Sequence, residues 1–80
     1  MHKLQVFSRP GCHLCEQLIE ELLPLVAGSI EVVVCDIDSR DDWCEEYDTR
    51  VPVVKYDGEF ICQYHLDREA LTRILSNIST

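Results

Sequence analysis

Two cysteines, Cys12 and Cys15, are separated by only two residues in the stretch SRPGCHLCEQ. A pair at this spacing can close a small disulfide, hold a metal ion together with further ligands, or have no chemical role. The chain has five cysteines, an odd number, and its first residues, MHKLQVFSRP, contain too short an apolar run for an export signal. In a reducing compartment a close cysteine pair is more often redox-active or metal-binding than structural. These features favour chemistry at the pair over a secreted disulfide scaffold.

The cysteine pair lies between an expected strand and an expected helix. Residues 4–7 form a short apolar run that ends at the turn signal SRPG. After the turn, leucines recur at three- and four-residue steps and predict an amphipathic helix that begins near Cys12. The predicted apolar face consists of Leu14, Leu18, Leu22 and Leu25. Pro24 is expected to end or kink this helix, because proline has no N–H to donate to the carbonyl of Glu20.

The rest of the chain predicts further elements in an α/β order. The run IEVVVCDID, residues 30–38, has apolar residues on both faces, which predicts a strand covered on both sides. A short helix around Trp43 and Tyr47 follows, and VPVVKYDGEFICQY predicts an antiparallel strand pair joined by the turn signal Asp-Gly. Asp67 is expected to cap a last helix. The order is strand, helix, strand, short helix, strand, strand, helix, and the first two strands are expected to be parallel through a right-handed crossover.

The predicted helix start favours an ionised thiol at Cys12. N–H groups in the first helical turn have no internal partners and, with the helix dipole, stabilise negative charge. Cys-x-x-Cys pairs at such positions show large reductions of the thiol pKa. Arg9 adds a positive charge, and His13 adds a cation or a hydrogen bond depending on pH, whereas Glu16 opposes both with a like charge. We therefore interpret Arg9 and His13 as residues that tune the pKa of Cys12.

Cys12 and Cys15 are one helical turn apart, so their sulfurs can meet in a disulfide. The expected cycle begins when Cys12, the nucleophile, attacks a substrate disulfide and forms a mixed disulfide. Cys15, the resolving thiol, then attacks the Cys12 sulfur and releases the substrate. The other cysteines are interpreted as structural: Cys35 in a core strand, Cys44 on a packed helix face, with an exposed regulatory thiol as its alternative, and Cys62 near the last strand.

Pro52 stands at the start of an internal strand, in TRVPVV. A cis Val51–Pro52 bond would leave the backbone of Val51 free to pair with an extended thiol substrate. A trans proline that begins the strand explains the same pattern, and because cis is rare among X–Pro bonds, the residues alone favour trans.

These features together resemble the glutaredoxins, the small members of the thioredoxin fold. The similar blocks are VFSRPGCHLC and RVPVVKYDGEFI, and the order of predicted elements is similar over essentially the whole chain. The resemblance implies a thioredoxin-like α/β fold with a four-stranded mixed sheet flanked by three helices. It also implies a cis Pro52 beside Cys12, substrate binding by Val51 and Pro52, and thiol-disulfide oxidoreductase activity.

The chain departs from the glutaredoxin pattern at two places. His13 and Leu14 stand where these proteins typically have Pro-Tyr, so the redox potential is not carried over. Cys62 and Gln63 replace a Gly-Gly pair that helps these proteins hold the γ-glutamyl end of glutathione, and their side chains are expected to hinder close backbone approach. Asp67 remains as a match to the family's aspartate and is predicted to bind substrate. We expect no tightly bound cofactor, with glutathione as a candidate co-substrate.

Length, composition and charge limit the other functions. Residues 1–80 are expected to form a single glutaredoxin-like domain, and the ordinary composition, 46% hydrophobic without low-complexity runs, argues against disorder. Seven basic and fifteen acidic residues give a charge of −8, which disfavours binding to nucleic acid and to anionic membranes. No segment is long enough to cross a bilayer. We expect a cytoplasmic monomer whose partners are a disulfide-containing protein or a glutathione mixed disulfide, with glutathione or a reductase as electron donor.

Two other functions stay as alternatives. The first is iron-sulfur or metal binding with Cys12 and Cys15 as two ligands, but no second Cys-x-x-Cys or close histidine pair supplies the rest, so we predict no metal site. The second is a non-catalytic binding module whose acidic surface engages a basic partner. The intact thiol pair at a helix start argues against this second alternative.

Overall fold

A computed structural model describes residues 2–79 of the chain. Helices and strands follow the predicted order, with one additional short 3₁₀ helix, Ile37–Ser39, after the second strand. The element bounds are β1 Lys3–Ser8, α1 His13–Val26, β2 Glu31–Asp36, α2 Asp41–Tyr47, β3 Val53–Tyr56, β4 Glu59–Gln63 and α3 Arg68–Ser79.

The four strands form one mixed sheet in the order β2-β1-β3-β4. β1 and β2 are parallel, with Phe7 opposite Cys35, as a crossover through α1 requires. β3 is antiparallel to both β1 and β4, and Phe7 also lies opposite Val53. Because β1 is an interior strand, the chain enters α1 from the carboxyl end of a strand in the middle of the sheet.

The alternation of side chains along β1 separates two layers of core. Leu4 and Val6 belong to a buried cluster with side chains from α1 and α3, namely Leu18, Leu22, Val26 and Leu71. Phe7, on the opposite face, packs on Tyr47 of α2 with the ring centroids 4.4 Å apart. The helices α1 and α3 therefore cover one face of the sheet, and α2 covers the other.

The buried face of α1 differs from the predicted leucine face. Its buried residues are Cys15, Leu18, Leu22 and Val26, whereas Leu14 and Leu25 are 37% and 40% exposed. The leucine pattern is compatible with more than one face of the helix, and the position of the sheet selects between them. Of the two outcomes predicted for Pro24, an end or a kink, the first does not occur at Pro24 itself, because α1 continues for two more residues to Val26. Pro24 has no N–H to donate to the carbonyl of Glu20, but it lies in the last turn of α1, so only two helical residues follow the missing hydrogen bond.

β2 is shorter than the predicted strand, and one of its apolar side chains is exposed. It ends at Asp36, and it is an edge strand of the sheet. Cys35 is 7% exposed, but Val34 on the other face is 51% exposed. Val32 nevertheless packs against the core cluster on the side of α1 and α3, and Val33 and Cys35 belong to the cluster on the other side. The prediction that both faces of this strand are covered is therefore confirmed except at Val34.

The turn and cap predicted in the C-terminal half are confirmed. Asp57 and Gly58, both with positive φ, join β3 to β4. Asp67 accepts a hydrogen bond from the backbone N–H of Ala70 over 3.1 Å, which caps the first turn of α3. Of the helices between residues 2 and 79, none combines the length and the apolar character that crossing a membrane would need.

Candidate active site

Cys12 and Cys15 lie where β1 leads into α1, and they form a disulfide. Cys12 is the N-cap residue of α1, with extended backbone angles, and Cys15 lies in the first turn. The backbone N–H of Cys15 donates to Sγ of Cys12 over 3.1 Å, and the two Cα atoms are 5.2 Å apart. This Cα separation is typical of disulfides, so the start of the helix itself brings the two sulfurs together.

The two cysteines differ in their access to solvent. Cys15 is 2% exposed, whereas Cys12 is partly exposed. Cys12 lines a cleft with the neighbouring turn and with Arg9, Glu16 and Asp36. Cys15 also borders this cleft, but because Cys12 is the more exposed of the two residues, an incoming disulfide can reach Cys12 more easily.

A tight turn places Cys12 at the start of α1. Gly11 has φ +81°, in the left-handed region that favours glycine. The N–H of Cys12 donates to the carbonyl of Arg9 over 3.3 Å, and the N–H of Glu16 donates to the carbonyl of Cys12 over 3.1 Å. The Cys12 sulfur therefore lies beside the N–H groups of the first turn, where the helix favours negative charge.

The guanidinium of Arg9 forms ion pairs with two carboxylates. It donates to Asp38 over 3.0 Å and to Asp48 over 2.8 Å. These hydrogen bonds, first to Asp38 and then to Asp48, raise the pKa of Arg9 above its ordinary value. Arg9 also lies 3.7 Å from Sγ of Cys44. The guanidinium thus ties the turn before Cys12 to the α2 segment, and the two acids offset its charge.

His13 faces solvent between the two cysteines. Its side chain is 93% exposed, and Nδ1 lies 3.7 Å from a carboxylate oxygen of Glu16. The nearest charged partner of His13 is therefore the same acidic residue that opposes ionisation at the helix start.

Val51 and Pro52 lie at the same end of the sheet as the cysteine pair. Val53, the first residue of β3, is opposite Phe7, and β1 ends one residue later. The residues just before Val53 therefore lie beside the turn that leads to Cys12. The Val51–Pro52 peptide bond is cis, and the carbonyl of Pro52 accepts a 2.8 Å hydrogen bond from the N–H of Tyr64.

A second groove lies between α1 and the segment before α3. Leu14 borders it on the α1 side, and Tyr64, His65 and Leu66 border it on the other. Asp67 follows these residues, but one oxygen of its carboxylate is already used as the cap of α3. The groove is next to the cysteine pair because Leu14 lies between Cys12 and Cys15 in the chain.

Cys62 and Gln63 are both in contact with other parts of the protein. The Cys62 side chain is 8% exposed and belongs to the core cluster, so it does not point into the groove. Gln63 accepts a hydrogen bond from Arg50 over 3.0 Å. Tyr64, the next residue, has φ +68°, an uncommon value for a side chain of this size. The obstruction predicted at Cys62 is therefore absent, and Tyr64 is the bulky residue at the groove.

The remaining cysteines lie outside the pair. Cys35 and Cys62 are buried, and burial raises the pKa of each thiol, although a hydrogen bond from the Asp67 backbone partly opposes this at Cys62. Cys44 is partly exposed and contacts Arg9. Within residues 2–79 no group of three or more His, Cys, Asp or Glu side chains is arranged to hold a metal ion.

Asp38 and Asp48, the partners of Arg9, were not predicted from the sequence. The only signal was the number of acidic residues between positions 36 and 48. An arginine near a cysteine pair in a chain of charge −8 is expected to find a carboxylate, but the spacing does not say which one.

Comparison with known proteins identifies relatives along most of the chain. A family model described as Glutaredoxin-like domain (DUF836) matches residues 3–76. A Dictyostelium discoideum protein named "Glutaredoxin-like protein YDR286C homolog" is 27% identical, over 94% of this chain and 76% of that protein.

Two solved structures show the same architecture. The solution structure of protein Ne2328 from Nitrosomonas europaea is 34% identical, with a TM-score of 0.80 over 91% of this chain and 89% of that one. The oxidised form of mitochondrial thioredoxin 3 from Saccharomyces cerevisiae is 21% identical, with a TM-score of 0.66 over 95% of this chain and 77% of that one. The second likeness shows that the fold is the thioredoxin fold.

Proposed function

The chain belongs to the glutaredoxin-like domain family, and from this premise we propose that it is a thiol-disulfide oxidoreductase that reduces disulfides or glutathione mixed disulfides. Cys12 is the nucleophile and Cys15 the resolving thiol. The observation that carries the proposal is the disulfide at the start of α1, in which Cys12 is accessible and Cys15 is buried.

The proposed reaction moves two electrons from the cysteine pair to the substrate. The thiolate of Cys12 attacks one substrate sulfur, the substrate disulfide breaks, and the first thiolate leaves and takes up a proton. Cys15 then loses its proton and attacks Sγ of Cys12, which breaks the mixed disulfide and releases the second thiol. The pair ends as the Cys12–Cys15 disulfide, and a donor, either glutathione or a protein reductase, returns it to the dithiol.

Five other residues have supporting roles in this proposal. Arg9 and His13 adjust the charge around the Cys12 thiolate, and Glu16 opposes them. Val51 offers its backbone to an extended substrate just before β3, and Pro52, whose carbonyl is hydrogen-bonded to Tyr64, contacts that substrate through its ring. Asp67 contributes a carboxylate beside the segment that borders the second groove. Support for the roles of Arg9, His13, Val51 and Pro52 comes from their common location at one end of the sheet. Support for Asp67 comes from its position directly after Leu66, which borders the second groove.

A turnover assay with two donors tests the proposal. Reduction of hydroxyethyl disulfide is followed through NADPH oxidation, with glutathione and glutathione reductase in one arm and thioredoxin reductase in the other. We expect turnover by the wild type in at least one arm, and none above background by Cys12→Ser. Cys44→Ser is the matched control, because it removes a partly exposed thiol outside the pair, and it is expected to retain turnover. Equal turnover by wild type and Cys12→Ser would overturn the proposal.

A further inference from the structure

Negative charge surrounds the accessible face of Cys12. Glu16 lies in the first turn of α1, and Asp36 ends β2; both are exposed, and both line the cleft that leads to the Cys12 sulfur. Arg9 is the one lysine or arginine among the described residues of this cleft. Its charge is offset by Asp38 and Asp48, which bring two further carboxylates to the same side. Counting these five side chains, the cleft and its border have more negative than positive charge.

The second groove beside the pair adds no unpaired lysine or arginine that would offset this excess of negative charge. No lysine or arginine is among the described residues that line it, but Glu21 is. Arg68 lies 3.8 Å from Glu21, so the one cation placed beside this groove is paired with a carboxylate. Two histidines also lie near the pair: His65 borders the second groove, and His13, between the two cysteines, has Glu16 as its ionic partner.

Two further cations of the described chain, Lys55 and Arg50, are held elsewhere. Lys55 lies over the rings of Phe7 and Tyr47, with Nζ 5.8 and 5.3 Å from their centroids. Arg50 donates to Gln63 and lies 5.9 Å from the centroid of Phe60. These contacts hold both cations against aromatic side chains and not in the cleft of Cys12.

We propose that the site selects disulfides that carry positive charge next to the sulfur pair and disfavours anionic disulfides. This inference rests on the proposed function and names its substrate class. An ammonium or guanidinium group beside the substrate sulfurs approaches Glu16 and Asp36, whereas a carboxylate there meets like charge. Glutathione disulfide carries a net charge of about −2 at neutral pH, since each half has two carboxylates and one ammonium group. It therefore belongs to the disfavoured class.

The physical effect is on the rate of encounter. Opposite charge at a cleft raises association rates by about tenfold or more at low ionic strength, and like charge lowers them. Salt screens the effect, because the Debye length falls to about 3 Å at 1 M salt. Selection of this kind leaves the exchange chemistry unchanged: Cys12 attacks, one substrate thiol leaves, and Cys15 releases the other.

Three small disulfides of different charge provide the test. Cystamine carries two ammonium groups, hydroxyethyl disulfide is neutral, and 3,3′-dithiodipropionate carries two carboxylates. The pre-reduced full chain is mixed with each, and formation of the Cys12–Cys15 disulfide is followed by acid quench and mass spectrometry. Each rate is divided by the rate of uncharged dithiothreitol with the same disulfide, which removes differences in intrinsic reactivity. Glutathione disulfide is run as a fourth substrate.

We expect the normalised rate with cystamine to exceed that with dithiodipropionate by about tenfold at low salt. The ratio is expected to approach one in 1 M salt, and to fall severalfold in the double variant Glu16→Gln/Asp36→Asn. The matched control is Glu31→Gln/Glu59→Gln, which removes two exposed acids from the opposite end of the sheet and is expected to keep the ratio.

The outcomes separate this inference from the proposed function. A normalised ratio near one at low salt, with oxidation that Cys12→Ser abolishes, overturns the inference and leaves the proposed function standing. A large ratio that both double variants retain equally also overturns it, because the selection then does not come from this cleft. If none of the disulfides oxidises the wild type faster than Cys12→Ser, the proposed function fails and the inference fails with it.

Discussion

The backbone N–H of Cys15 donates to Sγ of Cys12 over 3.1 Å. This is the hydrogen bond that a serine or aspartate oxygen usually makes at the start of a helix, and here a sulfur accepts it. When the pair is reduced, the helix start therefore favours negative charge on the more accessible of the two sulfurs, while Cys15 is the third residue of α1. The same few residues thus define one accessible and one buried sulfur position.

Replacing Cys15 is expected to stop the reaction at the mixed disulfide. Reduced Cys15→Ser, mixed with hydroxyethyl disulfide, should gain the mass of one mercaptoethanol adduct on Cys12, because no second thiol is placed to release it. The wild type should instead lose two hydrogens and retain no adduct. Peptide mapping of the adduct is the measurement, and Cys12→Ser is the control without the attacking thiol. An adduct located on Cys44 and not on Cys12 would contradict the assignment of the nucleophile.

Changes at Arg9 and at its partners are expected to move the pKa of the Cys12 thiol in opposite directions. Arg9→Gln removes a cation and leaves Asp38 and Asp48 uncompensated, so the pKa should rise. Asp48→Asn leaves Arg9 less offset, so the pKa should fall. The measurement is the pH dependence of Cys12 alkylation in a Cys44→Ser background. Arg40→Gln is the control, because Arg40 pairs with Asp42 and does not line the Cys12 cleft. Shifts of the same sign in both variants would count against this electrostatic account.

Two substitutions separate the structural and functional roles of Asp67. Asp67→Ala removes the side chain that caps α3 and is expected to lower the free energy of unfolding by about 1 kcal/mol. Asp67→Asn keeps a capping oxygen and should stay within a few tenths of a kcal/mol of the wild type. Urea denaturation gives these values, and the Michaelis constant for disulfide reduction is measured on the same proteins. A changed Michaelis constant in Asp67→Asn, without a change in stability, would assign the carboxylate to substrate binding; an unchanged constant would leave it as a cap only.

The buried thiols are expected to make stability fall at alkaline pH. Burial raises the pKa of Cys35 and Cys62 in the folded chain, so the unfolded state releases their protons first. Their contribution is fully present below the pKa of a free thiol, about 8.5, and is lost as pH rises from there through the folded values. Urea unfolding in a reductant at pH 7 and at pH 9.5 measures the decline.

Alanine variants identify the source of that decline. Cys62→Ala and Cys35→Ala are expected to be less stable than the wild type at pH 7, and their stability should decrease less between the two pH values. Cys44→Ala is the matched control with a partly exposed thiol, and its pH dependence should follow the wild type. A decline of equal size in all four proteins would show that other groups cause it.

The order of elements could be predicted because each depends on local pattern. The Asp-Gly turn, the cap at Asp67 and the strand-turn-helix around Cys12 are short-range features, and the structure confirms all three. The exposed face of α1 could not be predicted in the same way. Leu14 and Leu25 are as apolar as Leu18, and only the position of the helix on the sheet decides which of them is buried.

The cysteine pair of the candidate site could be predicted from the sequence, but the residues around the pair could not. Cys12 and Cys15 are close in the chain, so helical spacing alone brings their sulfurs together. The partners of Arg9 are far away in the sequence, and the parallel pairing of β1 with β2 is what carries Asp38 to it. Likewise, the burial of Cys62 follows from packing between β4, α1 and α3, which no local pattern encodes.

The sequence by itself determined the chemistry available to this protein: two thiols at a helix start, three further cysteines and a chain charge of −8. These properties depend only on residue types and on short spacings in the sequence, so they do not depend on how the helix packs against the rest of the fold. The tertiary structure decided which thiol meets solvent, which carboxylates offset Arg9 and how the remaining negative charge is arranged around Cys12. Those are distances between parts of the chain that only the packing of the sheet and its helices brings together.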